Sequence, residues 1–374
     1  MSEHTVCKRC VMDSTDPGII FNQRGICNHC QHAEEVMSSE PLCLPPSEKE
    51  ERLNRLVARI KAQGKRRRYD CLIGLSGGVD STYTAYRVKE LGLRPLAVHL
   101  DNGWDSELAV RNIENACRRL NIDLYTWVLD WEEFRDLQLA FLKASTPDSE
   151  IPTDNAIFGA LWRLAARHRV HYILTGYNLA SESILPTSWS QGYFDAKYIK
   201  SIQRLYGTRK LKTFPLLSEF GIVFFRYLYG IQLLNFLDYI DYDKQHAKSV
   251  IVDKVGWHDY GRKHCESNYT RIFQEYVLPV KFGYDKRKAH YSSLIMAGQM
   301  NRDQALSLLA EPLYKTRRAI EEDLDYFVNK LRITRIELDE IMSRPCKTYF
   351  DYPNYKTLKR YQILKKVKRF FEAK

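Results

Sequence analysis

The sequence predicts an α/β protein: a doubly wound parallel sheet, preceded by a short cysteine-rich segment and followed by a mainly α-helical region. Three observations carry that prediction. Short apolar runs alternate with amphipathic helical patterns from Tyr69 to Thr175. A glycine-rich turn joins the first of those runs to the first helix. The alternation then stops after about Phe220, and helical periodicity takes over.

The elements follow in order. Met1 to Leu44 holds Cys7-Lys8-Arg9-Cys10 and Cys27-Asn28-His29-Cys30, with 16 residues between the pairs. Two Cys-x-x-Cys knuckles at this spacing can supply four thiolates to one tetrahedral ion, so Cys7, Cys10, Cys27 and Cys30 are read as ligands of a structural zinc ribbon. Too few apolar residues lie here for an independent core, and metal takes the place of burial. His29 and His32 are spare nitrogen donors. Pro41 to Pro46 reads as a linker, and Ser47 with Glu50 has the pattern of a capping box for a helix to about Gln63. The basic run Lys65 to Arg68 precedes the first strand and reads as a solvated loop.

Cys71 to Leu75 is the first strand, and a helix runs from Ser81 to Leu91. Strands are predicted at Pro95–Leu100, Asp123–Val128 and His171–Thr175, and helices at Ser106–Leu120, Asp130–Ser145 and Thr153–His168. Beyond Phe220, helices are predicted at Arg302–Ala310, Arg317–Leu331, Thr334–Ser343 and from Tyr355 to the end. Three units are expected: 1–46, the ribbon and linker; 47–220, the nucleotide-binding domain; and 221–374, a mainly helical substrate or partner domain. The most apolar stretch, Gly221 to Ile240, carries Arg226, Gln232, Asn235 and Asp238, which argues against a spanning helix and for a mostly buried helix or partner surface.

The bulk numbers restrict the function classes. A chain of 374 residues with 44% hydrophobic and 28% charged residues is globular. Nine cysteines at this length are not a disulfide framework and suit a reducing compartment. No secretory signal or transmembrane segment is recognisable, and a cytoplasmic location is expected. The net charge of +11 favours anionic ligands without choosing among nucleotides, nucleotide-linked sugars, RNA or a membrane surface.

The chemistry centres on Ser76-Gly77-Gly78-Val79-Asp80-Ser81. A glycine turn between a buried strand and a helix aims backbone N–H groups at one point, aided by the positive end of the helix dipole. Gly77 and Gly78 let the backbone approach a phosphate, Ser76 and Ser81 add hydroxyl donors, and Asp80 can hold Mg2+. No Gly-Lys-Ser/Thr follows, and the Gly-x-Gly-x-x-Gly spacing is missing, so neither a Walker loop nor a dinucleotide fingerprint is present. Ligands of doubly wound sheets bind outside the C-terminal strand ends. Asp101-Asn102-Gly103 and Gly176-Tyr177-Asn178 leave two further such ends. Asp101, Gly103, Gly176 and Asn178 are therefore expected to join the loop in binding ATP. Lys210 and Lys212 could approach an α-phosphate, though solvation on the surface is their commoner role.

The loop resembles that of the PP-loop (ATP-pyrophosphatase) superfamily, whose members split ATP between the α and β phosphates and adenylate a carbonyl oxygen. Cys7 to Asp13, Phe21, Gly25 and Cys27 to Cys30 resemble the start of its N-acetyl sugar amidotransferases. His99 to Trp104, Gly256 to Gly261 with Lys263, His264 and Glu266, and Lys281 to His290 are similar too. The resemblance is to the WbpG type of bacterial surface-polysaccharide (LPS, O-antigen) synthesis, related to the PseA type. It implies ATP, Mg2+ and structural Zn2+, and an amidotransferase that replaces the oxygen of an acetamido group with ammonia on a nucleotide-linked sugar, a UDP-diacetamido uronic acid. It also implies a HisH-like glutaminase and a HisF-like ammonia-channel partner. That fits a chain with no cysteine at position 2 and no Gly-x-Cys-x-Gly elbow. Within this picture Ser76, Asp80, Lys263, His264 and Glu266 are the expected catalytic groups, and His258, Arg271 and Lys286 the expected sugar-binding groups. No nucleic-acid partner is expected. The alternative is a tRNA-thiolating PP-loop enzyme. Against it, Cys71, Cys117, Cys265 and Cys346 form no further Cys-x-x-Cys pair.

Overall fold

The computed structural model describes residues 4–261 and 266–358. Five parallel strands form one sheet: β1 (Cys71–Gly74), β2 (Pro95–Asp101), β3 (Asp123–Val128), β4 (Tyr172–Thr175) and β5 (Gln232–Asn235), in the order β3-β2-β1-β4-β5. β1 is in register with both neighbours, Ile73 facing Ala97 on one side and Leu174 on the other. The order reverses direction between β1 and β4. Such a switch point opens a crevice at the C-terminal strand ends.

Alternation within the strands divides the core into two layers. Cys71, Ile73, Ala97, Tyr172 and Leu174 point to the layer holding the helices Pro46–Gly64, Val79–Glu90 and Lys244–Val255. Leu72, Leu96, Val98 and Ile173 point to the opposite layer, against Leu161, Trp162 and Leu164 of the helix Ile151–His168. Helices thus cover both faces, which is why β1, β2 and β4 read as continuous apolar runs.

Most elements begin and end where their capping residues stand. Ser106, Asp130, Asn301 and Thr334 each accept the expected backbone N–H at a helix start. Ser47 does not: the cap position falls two residues earlier, at Pro45, and the helix Pro46–Gly64 starts without a side-chain cap, because proline presets the first turn. β5 is a strand that the periodicity did not reveal. It lies beyond Phe220, where the strand–helix alternation had seemed to end. Its four residues are too few for a period-2 signal.

Of the two readings of the apolar stretch from Gly221, the mostly buried helix is corrected. The helix Glu219–Tyr229 has no buried residue, whereas Phe236 and Leu237, just past β5, are fully buried.

The C-terminal helices close over one end of the sheet. Phe273, Phe327, Leu331 and Leu338 share a core with Phe134, Phe141 and Tyr198. Pro279 lies inside the segment Phe273–Phe282, which is wound as a wide π-type helix. A proline there supplies no N–H for the ordinary ladder. The predicted helix from Tyr355 falls almost wholly on 359–374, outside the described residues. Among the described residues no helix is long and apolar enough to cross a membrane.

Candidate functional site

β1 ends in the turn Ser76–Gly78, and the helix Val79–Glu90 starts at once. Gly77 has φ +81°, and a Cβ there would come 2.7 Å from the carbonyl oxygen of Ala109, so the turn needs a residue without a side chain. The turn is knit internally. Ser76 Oγ lies 3.1 Å from Ser81 Oγ, and the Gly78 N–H donates to Ser76 Oγ at 3.3 Å. No side chain caps the helix at Gly78, which leaves its first N–H groups to face the crevice.

The turn is also held from outside. The buried Trp257 donates its indole N–H to the Gly77 carbonyl at 2.7 Å, and the Tyr260 hydroxyl donates to the same oxygen at 3.0 Å. The Gly77 carbonyl is therefore fixed by two donors from the Gly256–Gly261 segment. Tyr242 donates to one carboxylate oxygen of Asp80. Burial, and then the Asp80 charge, push the Tyr242 hydroxyl well above the usual range for tyrosine, so it stays a donor. The other Asp80 oxygen remains for a cation, and a hard divalent ion such as Mg2+ suits it.

The two other strand-end loops meet this turn. A Cβ on Gly176 would stand 2.8 Å from the Ser81 nitrogen and the Asp80 carbonyl carbon, so the loop after β4 lies directly on the helix start. Asn178 is buried, caps the short helix Leu179–Glu182 and bonds back to the Gly176 carbonyl at 3.3 Å. After β2, Asp101 accepts the Gly103 N–H at 2.9 Å, and Gly103, at φ +78°, packs on Trp131.

Asp105, which the sequence reading passed over, accepts from His99 Nε2 at 3.2 Å, and His99 Nδ1 lies 3.2 Å from the Leu75 carbonyl. Burial would lower the His99 pKa, but the Asp105 carboxylate outweighs it and the imidazole is raised above its ordinary value. His99, Asp101, Gly103, Asp105, Ile113 and Thr126 line part of a 340 Å3 cleft beside the end of β2.

The C-terminal region reaches this site through a short antiparallel contact. Asp105 pairs with Ser267, the Ser106 N–H donates to the Glu266 carbonyl and the Asn268 N–H to the Trp104 carbonyl, both at 2.8 Å. Trp104, fully buried, anchors the contact by ring packing on Tyr269 and Phe327. Glu266 is thereby carried to the phosphate turn: its Oε1 lies 3.5 Å from where a Gly78 Cβ would be.

Ser76 to Ser81, Asp101, Gly103, Gly176, Asn178 and Glu266 are thus brought to one crevice. His258 keeps an exposed side chain, while its backbone pairs with the Asn112 amide. Lys263 and His264 lie outside the described residues. Arg271 forms a two-pronged pair with Asp323. Lys286 faces carboxylates, 3.9 Å from Glu150, beside Asp148, whose carboxyl burial pushes up to about 6 against the pull of Lys286. Lys210 and Lys212 sit on an exposed loop whose backbone is held by Asp136 and Glu133. In each case a carboxylate distant in sequence captured the cation or its loop, which spacing cannot reveal. The same holds for Tyr242, while Trp257 and Tyr260 stand in the Gly256–Gly261 motif with no sign of what they grip.

The four N-terminal cysteines converge. All four sulfur atoms lie within 4.8 Å of one another and are buried. Cys7–Cys30 is 3.9 Å, and Cys10–Cys27 and Cys27–Cys30 are 3.7 Å. A zinc ion with ~2.3 Å bonds to four sulfurs needs tetrahedral edges of about 3.8 Å. Backbone N–H groups of Arg9, Met12 and Cys27 point at the sulfurs, as thiolate ligands require. His29 bonds Asp16 at 2.6 Å and His32 is exposed, so neither joins the set. The knuckles dock on the C-terminal helices: Arg302 donates to the Cys7 and Cys10 carbonyls, and Lys288 pairs with Asp13.

A 3-2-1-4-5 parallel sheet, with a glycine turn at its switch point and no lysine in the loop, is the arrangement that the PP-loop resemblance of the sequence implies. Residues 266–368 match the family model "LPS biosynthesis protein WbpG-like, C-terminal domain". A 70-residue stretch is 39% identical to the tRNA(Ile)-lysidine synthase of Chlamydia pneumoniae, covering 18% of this chain and 22% of that enzyme. The chain thus spans about a fifth of the curated relative it matches. Two solved structures are more distantly similar. The predicted subunit of tRNA methyltransferase from Methanocaldococcus jannaschii has a TM-score of 0.30 and 14% identity, over 58% of this chain and 90% of that one. The NH3-dependent NAD synthetase from Campylobacter jejuni has a TM-score of 0.30 and 16% identity, over 43% and 73%. From Glu266 onward the chain carries a WbpG-like C-terminal domain.

Proposed function

We propose that the protein is an ATP-dependent, AMP-forming amidotransferase of LPS (O-antigen) synthesis, acting in the cytoplasm on an acetamido group of a nucleotide-linked sugar. The observation that carries this reading is the open cradle at Gly77–Gly78, with a carboxylate, Glu266, delivered beside it by the WbpG-like region.

The β and γ phosphates lie over the N–H groups of the loop and helix start, which stabilise the charge that grows on departing pyrophosphate. Asp80 would hold Mg2+, which would supply positive charge against the separating phosphates. The cleft by Asp101 and Asp105 carries negative charge that repels phosphate, and it suits the hydroxyl and amine donors of the nucleoside. The amide oxygen of the sugar attacks the α-phosphorus, and the bond to pyrophosphate breaks. Ammonia adds to the activated carbon to give a tetrahedral centre. The C–O bond then breaks, AMP leaves with the former amide oxygen, and loss of a proton leaves an acetamidino group. Glu266, with His258, Lys263 and His264 on the sugar side, accepts the protons that ammonia sheds. A HisH-like glutaminase with a HisF-like channel subunit supplies the ammonia.

The test is mass spectrometry of a UDP-diacetamido uronic acid incubated with enzyme, ATP, Mg2+ and ammonia. Exchange of O for NH lowers the product by about one mass unit, in step with AMP release. An unchanged sugar alongside tRNA thiolation would instead favour the alternative enzyme class. Glu266→Ala is expected to lower turnover at least tenfold, as for loss of a proton-transfer group, with an unchanged melting curve. Unaltered kinetics would remove Glu266 from the site.

A further inference from the structure

His99 stands where the glycine turn meets the start of the WbpG-like region. Register pairing between β1 and β2 ends at Gly74 and Val98. One residue further, the side chain of His99 takes over from the ladder, with Nδ1 3.2 Å from the Leu75 carbonyl. The Leu75 carbonyl and the Ser76 N–H belong to one peptide, and that N–H donates to Ser81 Oγ at 3.2 Å. The peptide that opens the turn is therefore held at both ends. On the far side of the ring, Nε2 lies 3.2 Å from the Asp105 carboxylate. Asp105 pairs with Ser267, and the next N–H, of Ser106, donates to the Glu266 carbonyl. One imidazole thus links the turn to the segment that carries Glu266.

The partners fix the charge of the ring. A carbonyl and a carboxylate both accept, and neither donates. A neutral imidazole has a single N–H and turns a lone pair on one of them, whereas imidazolium serves both. The surroundings favour the same state. The cleft beside the buried ring is lined by Asp101 from β2, Asp105 from the following loop and Glu114 from the helix Glu107–Leu120, and His99 is the only basic group among its described lining residues. Burial opposes the charge, and Asp105, the Leu75 carbonyl and Asp101 outweigh it. We propose that His99 is a positioning residue, an imidazolium strap that holds the Leu75–Ser76 peptide and Asp105 in one arrangement, and that the turn takes ATP tightly only while the strap is charged. The triphosphate brings further negative charge to the same turn. Binding and protonation are then linked: ATP raises the proton affinity of His99 by the factor by which the proton raises ATP affinity. The strap is lost as pH rises through the folded His99 value, which lies above the ordinary 6.5, and near that value ATP draws a proton from solvent. The proposal rests on the turn being an ATP site, and is independent of the sugar and of the nitrogen source.

The test is calorimetric titration of the full chain with ATP and Mg2+ from neutral to alkaline pH, in two buffers of different ionisation enthalpy. Wild-type affinity should fall at least about tenfold over that range, as for loss of a charged hydrogen bond, with proton uptake where it falls. His99→Gln keeps a donor and loses the charge. It should bind ATP at least about tenfold more weakly at neutral pH, with a flat profile, and the wild-type uptake should be absent. Asp105→Asn removes the carboxylate that holds the proton and should move the fall to lower pH; this variant carries the test if His99→Gln does not fold. A pH profile and proton uptake shared by wild type and His99→Gln would overturn the proposal, as would a fall that Asp105→Asn leaves unmoved. A wild type that binds no ATP at any pH would overturn it together with the ATP reading of the turn. Proton-linked ATP binding by a protein inert toward the sugar would support the strap and sink the amidotransferase reading alone.

Discussion

Gly77 is the residue on which the site turns. Its φ of +81° and its contact with the helix Glu107–Leu120 leave no room for a Cβ. Gly77→Ala should cost about 1–3 kcal/mol from backbone strain and abolish ATP binding in calorimetric titration. The two donors on the Gly77 carbonyl make a finer probe. Tyr260→Phe removes one hydrogen bond, worth about 0.5–1.5 kcal/mol, so ATP affinity should fall roughly two- to tenfold. Adding Trp257→Phe strips the carbonyl of both donors, and the joint loss should exceed the sum of the single ones. Equal affinities in all three variants would mean that the peptide is held by something else. His99 supplies a pH signature. Its folded pKa is raised, so its pairing with Asp105 stabilises the protein fully below the ordinary histidine value of 6.5 and is lost as pH rises through the folded value. The melting-temperature gap between wild type and His99→Gln should therefore be widest in mild acid and close at higher pH.

Among the elements, the cysteine knuckles bring together four sulfurs that could hold one metal ion. One zinc per chain is expected by elemental analysis, and Cys27→Ser should abolish it. Because Arg302 and Lys288 tie the knuckles to the C-terminal helices, chelation should lower the melting temperature of the full chain and not merely loosen its first residues. A metal-free chain with the same melt would contradict a structural role. Elements with apolar periodicity and a capping residue were legible from sequence, such as the helices ending at Leu120, Leu331 and Ser343. β5 was not, because its four residues owe their strand state to pairing with β4. The exposure of the helix Glu219–Tyr229 was not legible either. An apolar sequence states what wants covering and does not state what covers it.

At the scale of the whole molecule, the glycine turn, the strand alternation and the cysteine spacing together specified the sheet and its crevice. Each rests on local backbone chemistry that spacing reveals. The reach of Glu266 to Gly78, the grip of Tyr242 on Asp80, and the capture of Arg271 by Asp323 join positions far apart in the chain, where no periodicity operates. The fold brings the glycine turn and the start of the WbpG-like region together, and the short pairing of 104–106 with 266–268 is the joint. The central claim is that an amide oxygen displaces pyrophosphate at that joint. It is tested most directly by labelling the acetamido oxygen of the sugar with oxygen-18 and analysing the nucleotide product. The account predicts AMP carrying the label, with one pyrophosphate for each amidine formed. ADP as product, or AMP without the label, would contradict it.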